Sequence, residues 1–497
     1  MRRAYDAAQV RAAEAPLLAA LPTGALMQRA ASALARRCAS LLEGVYGSRV
    51  VLLVGSGGNG GDALYAGARL ARRGARVDAL LVGDALDDAL AAFLDAGGRS
   101  RSAADERSAA LIAQADLVVD GMVGIGATGE LRAPMARLAG LVADSPALVV
   151  AVDVPSGVDA STGAVAGEAV RADVTVTFGA LKAGLVISPG AEQAGRVETV
   201  DIGLDLPPAS VTLLDADDVA DLLPEPHGET DKYRRGVVGV VAGSDAYTGA
   251  AQLAVGGALA AGAGMVRYAG VAHPAEIVRH RWPEAVITVI QPGDGAGVVA
   301  AGRVQAWVVG SGLGTDDAAG DVVKAVLATD VPVLVDADAV TWLGDHRSVL
   351  TDRRAPTLLT PHAGEFARLM GVDRADVEAH RLDHVRRAVD ALGVTILLKG
   401  TTTLVADPTG AVRVNSASTA YLATAGSGDT LSGICGALLA AGLSALDAGS
   451  AGAFLHGLAG LIASGSPPAP IVAAQIAEQV PAAIRAVRST EWGDRGR

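Results

Sequence analysis

The chain has 497 residues, which at about 100–200 residues per domain allows two to four domains. Hydrophobic residues make up 51% and charged residues 19%, which excludes a disordered chain. A formal net charge of −13 without a basic stripe argues against nucleic acid as a partner, so anionic ligands must be held locally by loops and helix N-termini.

The first residues, "MRRAYDAAQVRAAEAP", carry basic groups but no apolar run ahead of Asp6, Arg11 and Glu14, so no signal peptide is expected. Cys38 and Cys435 are far apart and form neither a disulfide framework nor a zinc spacing, which fits a reducing cytoplasm. Two uncharged runs, 246–266 and 448–475, are long enough to span a bilayer, but they are rich in Ala, Gly and Ser, and the second holds three prolines. Buried helices packed on a sheet are expected there, with no membrane partner.

Along the chain, β-like runs alternate with Ala-rich helical runs. "RVVLLV" (49–54), "ARVDALLV" (75–82), "DLVVDGMV" (116–123), "ALVVAVDV" (147–154) and "DVTVTFG" (173–179) are continuous apolar runs. Such runs indicate strands buried on both faces of a parallel sheet. The alternation halts over 201–236, a stretch of prolines and acids, and restarts with "VVGVVAG" (237–243), "AWVVG" (306–310), "PVLVDAD" (332–338), "PTLLTP" (356–361) and "TILLKG" (395–400). The expected fold class is α/β, with two three-layer αβα domains over 1–210 and 227–497 joined by a linker at 211–226.

Ligands of open parallel sheets sit beyond the carboxyl ends of strands. In the first domain those ends carry "GSGGNGGD" (55–62), "DGMVGIGATG" (120–129), "DVPSG" (153–157) and "FGALKAGL" (178–185). Gly55, Gly57 and Gly60, and again Gly124, Gly126 and Gly129, fit G-x-G-x-x-G, which reads as dinucleotide turns or as tight turns in a Gly-rich chain. Asn59 and Asp62 add groups that a plain phosphate turn does not need. Lys182, the one lysine of the first 200 residues, is either a buried base or a solvated surface group.

In the second domain "ATAGSGDTLSGICGALLAAG" (423–442) places Gly426, Ser427 and Gly428 before a long apolar helix, with Asp429 at the edge of the resulting anion hole. Asp429 could be a mere N-cap, but a cap does not require Gly-Ser-Gly before it; glycines plus a carboxylate suit phosphoryl transfer. Asp336, Asp338, His362 and Glu365 stand at other strand exits, and "LLKGTTTLVAD" (397–407) supplies a lysine with small neighbours. His362 is open to a structural or a ligand-binding reading.

"GSGGNGGD", "VDGMVGIG", "DVPSG" and "TFGALKAGL", in this order, resemble the NAD(P)HX epimerases, Rossmann-like domains that interconvert the R and S hydrates of NADH and NADPH. The resemblance implies that Gly58, Asn59, Gly60, Gly61 and Asp62, together with Gly124, Ile125, Gly126, Ala127, Thr128, Gly129 and Glu130, hold the hydrated dinucleotide. It implies a potassium ion near Asn59, Asp120 and Ser156, and Asp153 and Lys182 as the acid/base pair, with Asp153 also on the substrate. "TPHAGEFARLMG", "LLKGTTT" and "GSGD" resemble the NAD(P)HX dehydratase branch of the ribokinase-like fold. That resemblance places Lys399, Gly400, Thr401, Thr402, Thr403 and Gly428 on the nucleotide. It places Ala250, Gly312, His362 and Asp429 on the hydrate, with Asp429 as the base, ADP as the phosphoryl donor and Mg²⁺ accompanying it. Departures from these patterns are Gly58 for an asparagine, Asp231 for a histidine, Ser311 for a proline and Ala425 for a glycine.

The expected function is a bifunctional repair enzyme acting on NADHX and NADPHX, in the cytoplasm and as a homo-oligomer. Its competitors are a small-molecule kinase, an NAD-dependent dehydrogenase with Asp78 on the ribose, and a non-catalytic sensor of damaged cofactor.

Overall fold

The structure is a computed structural model and describes residues 1–489; residues 490–497, the end of the expected second domain, lie outside the described residues. The chain divides into two compact units, one of Arg3–Val211 and one running from Thr212 onward together with Met1 and Arg2. Both are α/β with parallel strands at their centre, in agreement with the expected class.

In the first unit a seven-stranded sheet runs in the order Arg99–Ser102, Arg76–Leu81, Arg49–Val54, Leu117–Gly121, Leu148–Val152, Val174–Phe178, Arg196–Val200. All its pairings are parallel, with Leu52 opposite both Ala79 and Val119. Strand alternation sends Val50, Leu52 and Val54 into one core and Val51 and Leu53 into another, which makes three layers. Leu52, Leu53, Leu64 and Leu70 are fully buried, and each such side chain contributes roughly 1.5–3 kcal/mol of transfer free energy. The chain builds outward one way from Arg49–Val54, then returns to its other side with Leu117–Gly121. The crevice of this sheet therefore lies between the ends of those two strands.

The sheet of the second unit begins Val286–Val289, Met265–Gly270, Val237–Val241, Ala306–Val309, Val333–Val335, Thr357–Leu359, Thr395–Leu398, all parallel. Thr403–Ala406 and Val412–Asn415 extend it as antiparallel strands. Its switch point lies between Val237–Val241 and Ala306–Val309. Helices Thr248–Ala260 and Ser427–Ala440 cross in backbone contact: a Cβ on Gly433 would lie 2.0 Å from the Ala254 carbonyl oxygen, and one on Gly257 2.3 Å from that of Thr430. That crossing is why the run over 246–266 is so poor in large side chains. Helix Ala445–Ser464 is long and apolar enough to cross a membrane, but 72% of its apolar window is buried against the core of this unit.

The stretch expected as a linker over 211–226 is folded. It carries strand Val211–Leu213 and helix Ala216–Leu222, and Ala216, Val219 and Leu223 join the core. Its acids, taken from the sequence as linker charge, do a local job: Asp215 and Asp218 form a reciprocal capping box.

Candidate functional site

In the first unit, helix Gly58–Arg72 starts where strand Arg49–Val54 ends, and its first turn presents backbone N–H groups at the crevice. The glycines divide by role. Gly57 and Gly58 face open space, whereas a Cβ on Gly60 would lie 2.0 Å from the Gly55 carbonyl oxygen. Gly60 is thus required by helix–strand packing, and Gly57 and Gly58 leave room for a ligand. The second glycine loop, 124–130, is largely exposed at Gly126, Thr128, Gly129 and Glu130, and Arg11 donates to the Ile125 carbonyl at 3.2 Å.

Asn59, Asp120 and Ser156 come together below this loop. The Asn59 amide donates to the carbonyls of Val152 (2.6 Å) and Val123 (3.0 Å). Asp120, fully buried, accepts from the Ser156 N–H and hydroxyl, both at 2.7 Å. Burial pushes its carboxyl up to about 6 against the pull of those hydrogen bonds. Its hydrogen-bond donors are all neutral.

Lys182 is not a surface lysine. It is 1% exposed and donates to Asp153 Oδ1 at 2.5 Å and to the Phe178 carbonyl at 2.8 Å. Its short strand, Leu181–Lys182, is fixed by parallel pairing with Ala4 and Tyr5. Thr177 Oγ1 and the Phe178 N–H reach the same Asp153 oxygen, each at 3.0 Å. Asp153 adopts φ 68°, a left-handed conformation uncommon for a residue other than glycine, though less so for aspartate than for most. Asp62 is buried close by; burial, with Asp153 and Glu14 adding to it, raises its carboxyl well above the ordinary range, and its Oδ1 has no hydrogen-bond partner. Glu14, on helix Ala7–Ala20, was not singled out from sequence; burial raises it too, with Lys182 pulling the other way. Asp78 sits within strand Arg76–Leu81, paired with Arg99 at 3.0 Å, and so is not placed as a ribose ligand.

In the second unit a cavity of 710 Å³ is lined by His362, Glu365, Lys399, Gly400, Thr401, Thr403, Gly428 and Asp429. A neighbouring cavity of 560 Å³ is lined by Tyr247, Ala250, Gly312, Asp338 and Asp429. Asp429 and Gly426 belong to both. Thr402 is buried, and its carbonyl accepts from Arg381. The expected hydrate set is divided: Ala250 and Gly312 line the smaller cavity, His362 the larger, and Asp429 stands between.

Asp429 lies in the first turn of helix Ser427–Ala440, and no side-chain cap closes that turn. Burial and then Asp336 push its carboxyl up to about 6, while a hydrogen bond from Ser311 and the charge of Lys399 restrain the rise. Asp336, also buried, accepts from Lys399 Nζ (2.9 Å), Thr360 (2.9 Å) and Ser432 (2.7 Å). Burial opposes its charge, but these partners outweigh it and hold the carboxyl below its ordinary value. Lys399 is likewise held above its ordinary value, burial being more than offset by Asp336 and Glu365, so a fixed ammonium faces the cavity. His362 caps a helix and also lines the cavity. Nδ1 accepts from the N–H groups of Gly364 (2.9 Å) and Glu365 (3.2 Å), capping helix Ala363–Met370, while the ring lines the cavity. His456, missed from sequence because it lies inside an apolar helix, reaches the Ser427 carbonyl at 3.0 Å, and burial lowers it to about 4. The neutral ring therefore donates from Nε2 and steadies the first turn of the Asp429 helix.

The model of the YjeF-related protein N-terminus matches residues 23–184, and that of NAD(P)H-hydrate dehydratase matches residues 238–481. The bifunctional NAD(P)H-hydrate repair enzyme Nnr of Mycobacterium tuberculosis is 51% identical over 449 residues, covering 89% of this chain and 90% of that protein. The chain belongs to the bifunctional NAD(P)H-hydrate repair enzyme family. The member from Mycobacterium leprae is 48% identical over 473 residues, covering 94% of this chain and 95% of its own. Among solved structures, the ADP/ATP-dependent NAD(P)H-hydrate dehydratase of Bacillus subtilis, co-crystallised with ATP/Mg²⁺, superposes with a TM-score of 0.52 at 27% identity, covering 56% of this chain and 99% of that one. In this family the first unit is Rossmann-like and the second ribokinase-like, which is the assignment its sheet orders support.

Proposed function

We propose that the first unit epimerises R- and S-NAD(P)HX and that the second converts the S hydrate to NAD(P)H with ADP, releasing AMP and phosphate. The observation that carries the second half is the position of Asp429, at an uncapped helix N-terminus between two cavities with Lys399 beside it. The nucleotide occupies the larger cavity, on Lys399, Gly400, Thr401, Thr403 and Gly428, and the reduced ring of the hydrate the smaller, on Ala250 and Gly312. Asp429 takes the proton of the hydrate hydroxyl as its oxygen bonds to the terminal phosphorus of ADP, and AMP leaves. Loss of phosphate and of a ring proton then restores the double bond. The first-turn N–H groups and Lys399 stabilise the charge on the transferred group. Among the described residues no three His, Cys, Asp or Glu side chains form a self-contained metal site. Mg²⁺ arriving with nucleotide phosphates needs only one or two carboxylates, and Glu365, on the larger cavity, fits that need. Held there with the nucleotide, Mg²⁺ would supply charge neutralisation of the phosphates.

In the first unit Asp153 and Lys182, bonded to its Oδ1, serve as the acid/base pair at the hydrated carbon. Three donors occupy that oxygen, which leaves Oδ2 for the substrate. Potassium fits at Asn59, Asp120 and Ser156: a buried carboxylate with only neutral donors lies beside two carbonyls, those of Val123 and Val152, that converge on one amide. Fusing the units suits a damage reaction that yields both epimers and a second site that accepts one. The reaction belongs in the cytoplasm, where these cofactors work.

The test is phosphorus NMR of the products from S-NADHX, Mg²⁺ and either ADP or ATP. Inorganic phosphate appearing with NADH supports dehydration. A stable phosphorylated hydrate would make the second unit a small-molecule kinase.

A further inference from the structure

Helix Arg381–Leu392 opens on Arg381 and buries an apolar face of Leu382, Val385, Ala388 and Val389. A cation in the first turn opposes the helix dipole, so local helix physics does not explain an arginine there. The side chain is nonetheless 4% exposed, and it is directed at one loop. Its Nη2 donates to the carbonyls of Leu398 (3.1 Å), Lys399 (3.0 Å) and Thr402 (3.2 Å). These carbonyls bracket the turn that joins the antiparallel strands Thr395–Leu398 and Thr403–Ala406. The turn closes tightly on the guanidinium: a Cβ on Gly400 would lie 2.5 Å from Nη2. Gly400 and Thr401, at the middle of the turn, line the larger cavity. Among the described residues no protein acceptor meets the backbone N–H of either.

We infer that Arg381 is a positioning residue of the dehydratase: by holding three carbonyls of the 399–402 turn, it presents the N–H groups of Gly400 and Thr401 to a nucleotide phosphate. The inference rests on the proposed placing of the nucleotide on this turn. With its carbonyls engaged by one cationic nitrogen, the turn has its amides left for an anion, as in a backbone nest. Arg381 does not itself line the cavity, so it acts through the turn and not by touching the nucleotide. Without the guanidinium the three carbonyls lose a charged donor, and the turn gains conformations that the nucleotide must then freeze out. The loss therefore falls on nucleotide affinity and leaves Asp429 and the hydrate cavity as they are.

The experiment is a double-mutant cycle on Arg381→Met and Gly400→Ala, read by calorimetric affinity for Mg·ADP and by the kinetics of S-NADHX dehydration. Each single variant weakens Mg·ADP by about tenfold. Both keep kcat at saturating nucleotide, and KM for the hydrate, within about twofold of wild type. The double variant also loses about tenfold and not about a hundredfold, because the added methyl group acts through the guanidinium it displaces. Arg381→Lys, which keeps a cation but not the planar fork, recovers part of the affinity and carries the test if the methionine variant does not fold. Unchanged affinity in the Arg381 variants would overturn the inference, as would additive losses in the cycle or a fall in kcat equal to the fall in affinity, which a merely structural role produces. The wild type separates the two claims: no binding of Mg·ADP by the wild type overturns the nucleotide site and this role with it, whereas normal wild-type binding with unaltered variants overturns the role alone.

Discussion

Lys182 Nζ lies 2.5 Å from Asp153 Oδ1, with the lysine 1% exposed and the aspartate held at φ 68°. Breaking such a pair by removing one partner leaves a buried charge uncompensated, at a cost of about 3–5 kcal/mol. Lys182→Met and Asp153→Asn, made singly, are each expected to unfold at lower temperature, whereas the double variant recovers much of the loss. None of the three epimerises the hydrates, and all retain dehydration of the S form. Calorimetry and chiral separation of the hydrates check both parts; a double variant that epimerises would remove the pair from the chemistry.

Asp429 must be ionised to accept a proton, and its carboxyl is pushed up to about 6. The sign follows: kcat/KM for dehydration holds above that value and falls about tenfold per unit below it. Asp429→Asn lowers kcat by about a thousandfold or more while Mg·ADP still binds, as measured by stopped-flow absorbance and calorimetry.

The smaller cavity has a steric test. Gly312 has φ 63°, and a Cβ there would lie 2.8 Å from Tyr247 Cβ and 2.9 Å from Ala250 Cβ. Gly312→Ala is expected to raise KM for the hydrate about tenfold, roughly 1.4 kcal/mol, and to leave the nucleotide KM unchanged. Equal effects on both constants would mean that the two cavities are not separate subsites.

Potassium is expected to raise the melting temperature of the wild type by binding the folded state, and sodium to do so less. Asp120→Asn removes that difference, because the carboxylate at the centre of the site is gone. The readout is a thermal melt in matched chloride salts; an unchanged potassium response in Asp120→Asn would place the ion elsewhere.

The apolar runs that end in Gly55, Gly121, Asp153, Gly310 and Asp336 revealed strands and their carboxyl-end loops, because a strand buried on both faces leaves a continuous signature. Burial and pairing left no such mark. Nothing in "FGALKAGL" distinguishes a surface lysine from one held against Asp153, since Asp153 lies 29 residues away and the paired strand residues are Ala4 and Tyr5. The same holds for Glu14 and His456, which sit on helices remote in sequence from the loops they serve. The acids at 215 and 218 misled for the opposite reason: charge suggested a linker, but at that spacing it caps a helix with a buried apolar face.

The central claim is that one chain repairs both epimers. Mixed R- and S-NADHX, Mg²⁺, potassium and ADP are incubated with the protein, and absorbance at the NADH band is followed to completion. The account predicts full conversion in the wild type and, in Asp153→Asn, rapid conversion of the S fraction alone followed by the slow spontaneous rate. No conversion with either ADP or ATP, or equal full conversion in Asp153→Asn, would contradict it.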